Sequence, residues 1–369
     1  MAVVASSEVF VLSRPHGTVR GEGVVRSFTD VDEASAALRA GEVGALTGAI
    51  PFDLRDPAAL VAPVRLRTGE APLPGTGPLS RRAVSTVSHP ARDEHRERIA
   101  HAVKRIVAGD VGKVVLARSV DLVLDEQIRP AEFLDALAGG NADHNAFAVD
   151  LGAATGSGSW LLGASPEALL RKSGSTVTCH PYAGSAPRSA DPAVDRATAA
   201  ELAASRKDLA EHAFVVDHLR ERLGHLCDDV DAPSTPQLES TGEMWHLATP
   251  IRATLRDPAT TALDLALLLG PTPAVCGTPS DVAAQIIRDV EGDRGFYAGA
   301  VGWCDAAGDG EWMVAIRCAE LAADGRSLRT WAGGGIVEHS DPQAELDETQ
   351  FKLRTVFNAL GIPLADIVN

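Results

Sequence analysis

Two short acidic segments hold the residues whose types and spacing could do chemistry. In SRKDLAEH, Asp208 and Glu211 stand three apart; in ELDETQFK, Glu345 and Glu348 repeat that spacing and Lys352 follows four residues later. At ~3.6 residues per turn each set falls on one stripe of a helix, whereas Asp347 points to the other side. Taken singly, either stripe reads as a wet helix face, with Glu348 and Lys352 in the favoured orientation for an exposed ion pair worth ~0.3–0.5 kcal/mol. If the two helices meet, however, four carboxylates meet, and like charges a few ångströms apart raise one another's pKa values unless a cation lies among them. Hard oxygen donors without cysteine or clustered histidine point to Mg²⁺.

Other charges stand where apolar residues are expected. Lys113 heads the apolar run KVVLARSVDLVL, and Glu167 lies in GASPEALL between apolar runs. Both could simply emerge into solvent, or they could be a base and an acid at a pocket's edge. A lysine serves as base only if its pKa falls from ~10.4 toward ~7–8, about 4 kcal/mol of environment, and a glutamate stays protonated near neutrality only through the opposite shift. Arg317 in VAIRCAE reads as a guanidinium inside an apolar strand, in need of a carboxylate from the protein or from a substrate. Gly333 to Gly335 in AGGGIV could bring bare N–H groups to an anion or merely make a tight turn. His246 in MWHLATPI reads as a satisfied core histidine.

The elements that must position these residues follow from periodicity. Residues 1–90 mix short apolar runs with the proline-rich PVRLRTGEAPLPGTGPLS and read as strands joined by long loops. Ile99, Ala102, Val103, Ile106 and Val107 mark an amphipathic helix beginning near Asp93 and closed by Gly109 and Gly112, and Lys113 then opens a β-branched strand. A long helix is expected over about 193–228, with Leu202, Leu209, Val216, Leu219 and Leu223 on its apolar stripe. ALDLALLL reads as a further helix, GFYAGAVGWCD and EWMVAIRCAEL as strands around a GDG turn, and AGGGIV as a glycine-rich loop feeding the last helix. Clustered strands separated by a few long helices indicate α+β, not an alternating parallel fold.

A chain of 369 residues with 45% hydrophobic content can bury a large core, and its net charge of -16 argues against nucleic acid or an anionic membrane as partner. The absence of a long apolar run and of signal-peptide order at the N-terminus suggests a cytoplasmic protein. Five scattered cysteines, none in CxxC spacing, read as reduced and mostly buried thiols.

In this order, KVVLAR, GASPEALL, PYAGSAPR, SRKDLAEH, HLATPIRATL, PTPAVCGTP, FYAGAVGW, VAIRCAE and AGGGIVEHSDPQAELDETQFK resemble the chorismate-utilising enzymes: isochorismate and salicylate synthases and the large subunits of anthranilate and aminodeoxychorismate synthases. The resemblance covers roughly residues 90–365. It implies a large α+β domain, two subdomains forming a β-sandwich core flanked by helices, with residues 1–90 as N-terminal strands and loops of the same globule and 91–369 as the chorismate-binding catalytic region. It also implies an Mg²⁺ site lined by Asp208, Glu211, Glu345 and Glu348, with Glu211 and Glu348 favoured as direct ligands. Tyr297, Arg317 and Lys352, with backbone at Gly184, Gly333 and Gly335, would hold the carboxylates of chorismate, with His246 and Ala274 also in the substrate site. Lys113 and Glu167 become general base and general acid.

Within this family the sequence discriminates. Ala183 stands where aminodeoxychorismate synthases typically carry a nucleophilic lysine, and Lys113 where anthranilate synthases commonly have glutamine. Ala274 stands where salicylate synthases tend to have threonine and isochorismate synthases alanine. Gly270 departs from the histidine often found in that loop. The expectation is an isochorismate synthase feeding siderophore or menaquinone synthesis, a monomer needing no glutamine amidotransferase subunit. A salicylate synthase and a non-catalytic chorismate-binding subunit are the alternatives.

Overall fold

The structure, a computed structural model, describes residues 8–241 and 244–363. Two large antiparallel sheets face each other. One runs Gly277–Thr278, Lys113–Leu124, Ser327–Ile336, Cys318–Leu321, Trp160–Gly163, Ala146–Asp150, Glu8–Arg14, Gly17–Glu22 and Arg65–Glu70, with Ala83–His89 also paired to Lys113–Leu124. The other runs Cys227–Asp231, Ile251–Leu255, Thr176–His180, Ala168–Ser173, Gly310–Val314, Ala300–Asp305, Ala45–Ile50, Ala59–Ala62 and Arg26–Phe28. Alternation along these strands turns Phe10, Leu12, Phe147 and Val149 of the first sheet and Leu46, Leu170, Val301 and Trp312 of the second into one shared apolar core. The architecture is the expected α+β. Strands from the first 70 residues lie in both large sheets, so the N-terminal segment is woven into the same core.

Three helices bear on the site. Arg92–Val107 and Pro342–Leu360 pack against each other and against the Lys113–Leu124 and Ser327–Ile336 pair. On the last helix Leu346, Leu353, Val356, Phe357 and Leu360 form the buried stripe at helical spacing, and Asp341 caps its start by accepting from the N–H groups of Gln343 and Ala344. Arg206–Gly224 buries Val215, Val216, Leu219 and Leu223. A small third sheet, Tyr182–Pro187, Met244–Ala248 and Gln237–Thr241, covers the site.

Four expectations are corrected. The helix expected over 193–228 is two helices, Pro192–Ala204 and Arg206–Gly224, because Ser205 adopts an extended conformation and its hydroxyl accepts from Asp208 N as an N-cap. The glycines 333–335 are not in a loop but inside the strand Ser327–Ile336. Arg317 is not in a strand: it sits between Gly310–Val314 and Cys318–Leu321 with φ 53°. Between the N-terminal strands lies a helix, Val31–Arg39, capped by Asp30 and burying Ala34, Ala37 and Leu38. All five cysteines are free and buried, as expected. Among the described residues no helix is long and apolar enough to cross a membrane.

Candidate active site

One polar cleft collects most of the residues that could do chemistry. Glu167, Gly184, Glu211, His246, Ala274, Tyr297, Arg317, Gly333, Gly335, Glu348 and Lys352 all line it. Lys113, Asp208 and Glu345 stand just behind that lining. The break at Ser205 matters here, since it starts a new helix whose first turn carries Asp208 and whose next turn carries Glu211. Across the cleft, Pro342–Leu360 presents Glu345, Glu348 and Lys352 on its inner stripe.

The two acidic stripes do converge, and each buried glutamate is held by a lysine. Lys113 Nζ lies 3.0 Å from Glu211 Oε1, an ion pair without hydrogen-bond geometry. Lys207 Nζ lies 2.6 Å from Glu345 Oε1 and Lys352 Nζ 2.7 Å from Glu348 Oε1. The mutual repulsion is legible in the titration of the acids. Burial, then Glu348, raises Glu345. Burial, with Glu211 and Glu348 adding to it, raises Asp208. Glu348 is held below the ordinary carboxylate range, because Lys352, Lys207 and Arg317 outweigh its burial. Lys207, which the sequence reading passed over, is pushed up by Glu345, Glu348 and Glu211 despite partial burial. Its place in SRKDLAEH, one residue before Asp208, was the available signal. Glu345 keeps one buried oxygen, Oε2, without a hydrogen-bond partner, while Ser340 Oγ donates to Oε1 at 2.7 Å. Among the described residues no group of three or more acids, histidines or cysteines is placed to hold a metal ion.

Glycine leaves room where the strand floor meets the acids. A Cβ at Gly335 would lie 2.0 Å from Glu211 Oε1 and 2.9 Å from Lys113 Cε, and one at Gly334 would lie 3.0 Å from Glu345 Oε2. Gly184, with φ 78°, lets the chain pass Asp208; a Cβ added at Gly184 would lie 2.9 Å from Asp208 Cβ.

Opposite the lysines, Glu167 is 3% exposed in the turn after Trp160–Gly163. Burial pushes it up to about 8, against the Tyr182 backbone N–H and the charges of Lys113 and Lys352. It therefore carries a proton at neutral pH. His246 is kept neutral by burial and by Arg317 and Lys352. Tyr297 stacks on Trp331 at 5.7 Å with its phenol raised by burial. Lys352 also donates to Gly333 O at 2.8 Å, and Arg317 NH1 donates to Thr355 Oγ1 at 3.4 Å. A non-glycine residue held at positive φ is a costly conformation, and here it turns the Arg317 guanidinium toward the cleft. The chemistry on offer is a buried lysine paired with a glutamate, a neutral acid, a cluster of hard oxygen donors and two cations, Arg317 and Lys352, in the cleft lining.

Two outcomes check this geometry. Because folded Glu167 sits near 8 and an ordinary glutamate near 4.5, the folded protein holds this proton more tightly than the unfolded chain. Its stabilisation is complete below about pH 4.5 and is lost as pH rises through about 8. In denaturant unfolding at stepped pH, wild type should lose roughly 1 kcal/mol per unit relative to Glu167→Gln over that window; parallel profiles would contradict the buried neutral acid. Gly335→Ala should leave the circular dichroism spectrum unchanged and weaken chorismate binding by calorimetry, since its methyl pushes the Glu211 carboxylate aside.

Known proteins resemble this chain over most of its length. The family model described as "Chorismate binding enzyme" matches residues 70–361. A Mycobacterium tuberculosis relative, provisionally named isochorismate synthase MenF, is 48% identical over 358 residues, covering 96% of each chain. Isochorismate synthase DhbC of Bacillus subtilis is 40% identical, with 96% of this chain and 94% of that one covered. A Bacillus anthracis crystal structure, provisionally described as a 2,3-dihydroxybenzoate-specific isochorismate synthase, superposes with a TM-score of 0.90 at 36% identity over 96% of this chain and 97% of that one. With the family model spanning most of its length and relatives this similar, the chain belongs to the chorismate-binding enzymes.

Proposed function

We propose that the chain is an isochorismate synthase, an isomerase converting chorismate reversibly to isochorismate for siderophore or menaquinone synthesis, acting in the cytoplasm as a monomer without an amidotransferase subunit. The observation that carries the reading is a buried glutamic acid in the cleft lining, pushed up to about 8, together with a buried lysine, Lys113, just behind that lining. Lys113, once released by Glu211 and neutral, takes a proton from a water that attacks C2 of the ring. The double bonds shift, and the C4 hydroxyl leaves with the proton of Glu167. Water enters and water leaves, so the reaction is an isomerisation and balances without a further reagent. Each proton transfer contributes ~10²–10⁴ in rate.

Tyr297, Arg317 and Lys352 grip the substrate carboxylates, and the bare backbone at Gly333 and Gly335 lets the ring approach the floor. Ala274, in the cleft wall, matches the residue expected where the reaction stops at isochorismate. The donor chemistry of Asp208, Glu211, Glu345 and Glu348, all carboxylate oxygen and one of them orphaned, fits Mg²⁺. Those four residues would hold it, and when bound it supplies positive charge that draws electron density toward the ring carboxylate. Glu211 must then release Lys113, and Lys207 and Lys352 must loosen their hold on Glu345 and Glu348.

Chromatography of chorismate incubated with the protein should show isochorismate in equilibrium with residual chorismate, formed with Mg²⁺ and lost with a chelator. Lys113→Ala and Glu167→Gln should bind chorismate with turnover reduced at least ~10²-fold. Salicylate plus pyruvate, or near wild-type turnover in either variant, would sink the reading.

A further inference from the structure

A second cleft, which shares only Trp331 with the first, lies at an interruption in the large sheet. Along one edge of Lys113–Leu124, Gly277–Thr278 covers residues 113 and 114, and Ala83–His89 covers residues 119 to 124. Between them the edge is uncovered by any described strand, and Arg118 reaches this opening from the strand's helix-facing side.

Arg118 is 5% exposed, and among the described residues the hydrogen bond of its side chain is from Nε to the neutral Thr349 Oγ1 at 3.0 Å. Among the described residues no carboxylate pairs with it. The other guanidinium groups lining the cleft are each matched: Arg98 by Glu94 at 2.6 Å, Arg294 by Glu291 at 2.7 Å, and Arg329 by Asp121 at 2.5 Å. Beside Arg118 on Arg92–Val107, His95 is 1% exposed with both ring nitrogens unpartnered, and burial together with Arg118 and Arg98 keeps it neutral, down to about 3. It supplies no counter-charge. Arg118 itself is lowered to about 10 by burial and by Arg92. A buried guanidinium left without an anion is strongly unfavourable, and its two amino groups form a planar fork that fits a carboxylate in two parallel hydrogen bonds.

We propose that this cleft is a binding site for a small monovalent carboxylate, seated on the Arg118 fork. A dianion such as phosphate is disfavoured, because Glu94, Glu291 and Asp293 also line the cleft. Thr349 joins the site to the catalytic helix, one residue beyond Glu348. The proposal is independent of which reaction the first cleft performs.

Acetate is the probe. Thermal unfolding in sodium acetate against sodium chloride at equal ionic strength should show a saturable rise in Tm for wild type, and a smaller one for phosphate. Acetate could also reach the substrate grips, so the titration is repeated in Arg317→Gln, where the rise should persist. In Arg118→Gln it should vanish. Arg118→Lys keeps the charge and loses the fork, and should weaken acetate about tenfold or more. If Arg118→Gln does not fold, the Lys variant and a crystal soaked in acetate decide: planar density on the Arg118 fork supports the site. A rise that survives Arg118→Lys undiminished, a rise lost in Arg317→Gln, no rise in wild type, or an empty fork in the soaked crystal would overturn it.

Discussion

The site depends on one electrostatic constraint: carboxylates on two helices are brought to one place and must be neutralised there. Two unit charges 4 Å apart interact by about 4 kcal/mol at an effective dielectric of 20, so Asp208, Glu211, Glu345 and Glu348 cannot share a buried seam uncompensated. Lys113, Lys207 and Lys352 provide that compensation, one for each buried glutamate. Packing sets where the acids stand, through the apolar stripes of Arg206–Gly224 and Pro342–Leu360, and charge sets what else must be present. The same lysines explain how a strongly acidic protein can receive an anionic substrate: the local field in the cleft is set by its own cations, not by the net charge.

Loss of solvent also divides the acids into two kinds. Glu348, beside Lys352, Lys207 and Arg317, stays ionised. Glu167 lies in the same cleft, but backbone and side-chain contacts there do not offset its burial, so it keeps its proton. Environment alone thus makes one carboxyl an anion and another an acid. Glycine at 334 and 335 leaves the space that Glu345 and Glu211 occupy on the strand floor.

Much of this was legible in the sequence because it is written in spacing. The i, i+3 acids, the lysine at the head of an apolar strand and the SPE turn are local patterns, and the structure gathers them around one cleft. What was not legible depends on conformation that the local pattern does not determine. Ser205 is compatible with a continuous helix, and its role as a cap that restarts the chain appears only when Asp208 is seen to need its place at an N-terminus. Arg317 sits in an apolar run that reads as strand, yet φ at that residue is positive and breaks the run. Three successive glycines read as a loop, but close approach by Glu211, Glu345 and Tyr297 requires them inside a strand. Lys207 was hidden by its neighbours, being one more basic residue on a helix until its carboxylate partner came from 138 residues away.

The central claim is that water, deprotonated at Lys113, is the nucleophile and that the C4 hydroxyl departs with the proton of Glu167. Mass spectrometry of isochorismate formed in H₂¹⁸O tests it most directly. The account predicts one solvent oxygen in the new C2 hydroxyl, and, through the reverse reaction, label entering C4 of recovered chorismate. Isochorismate formed without solvent oxygen would mean that the hydroxyl migrates within the substrate, and the roles assigned to Lys113 and Glu167 would fall.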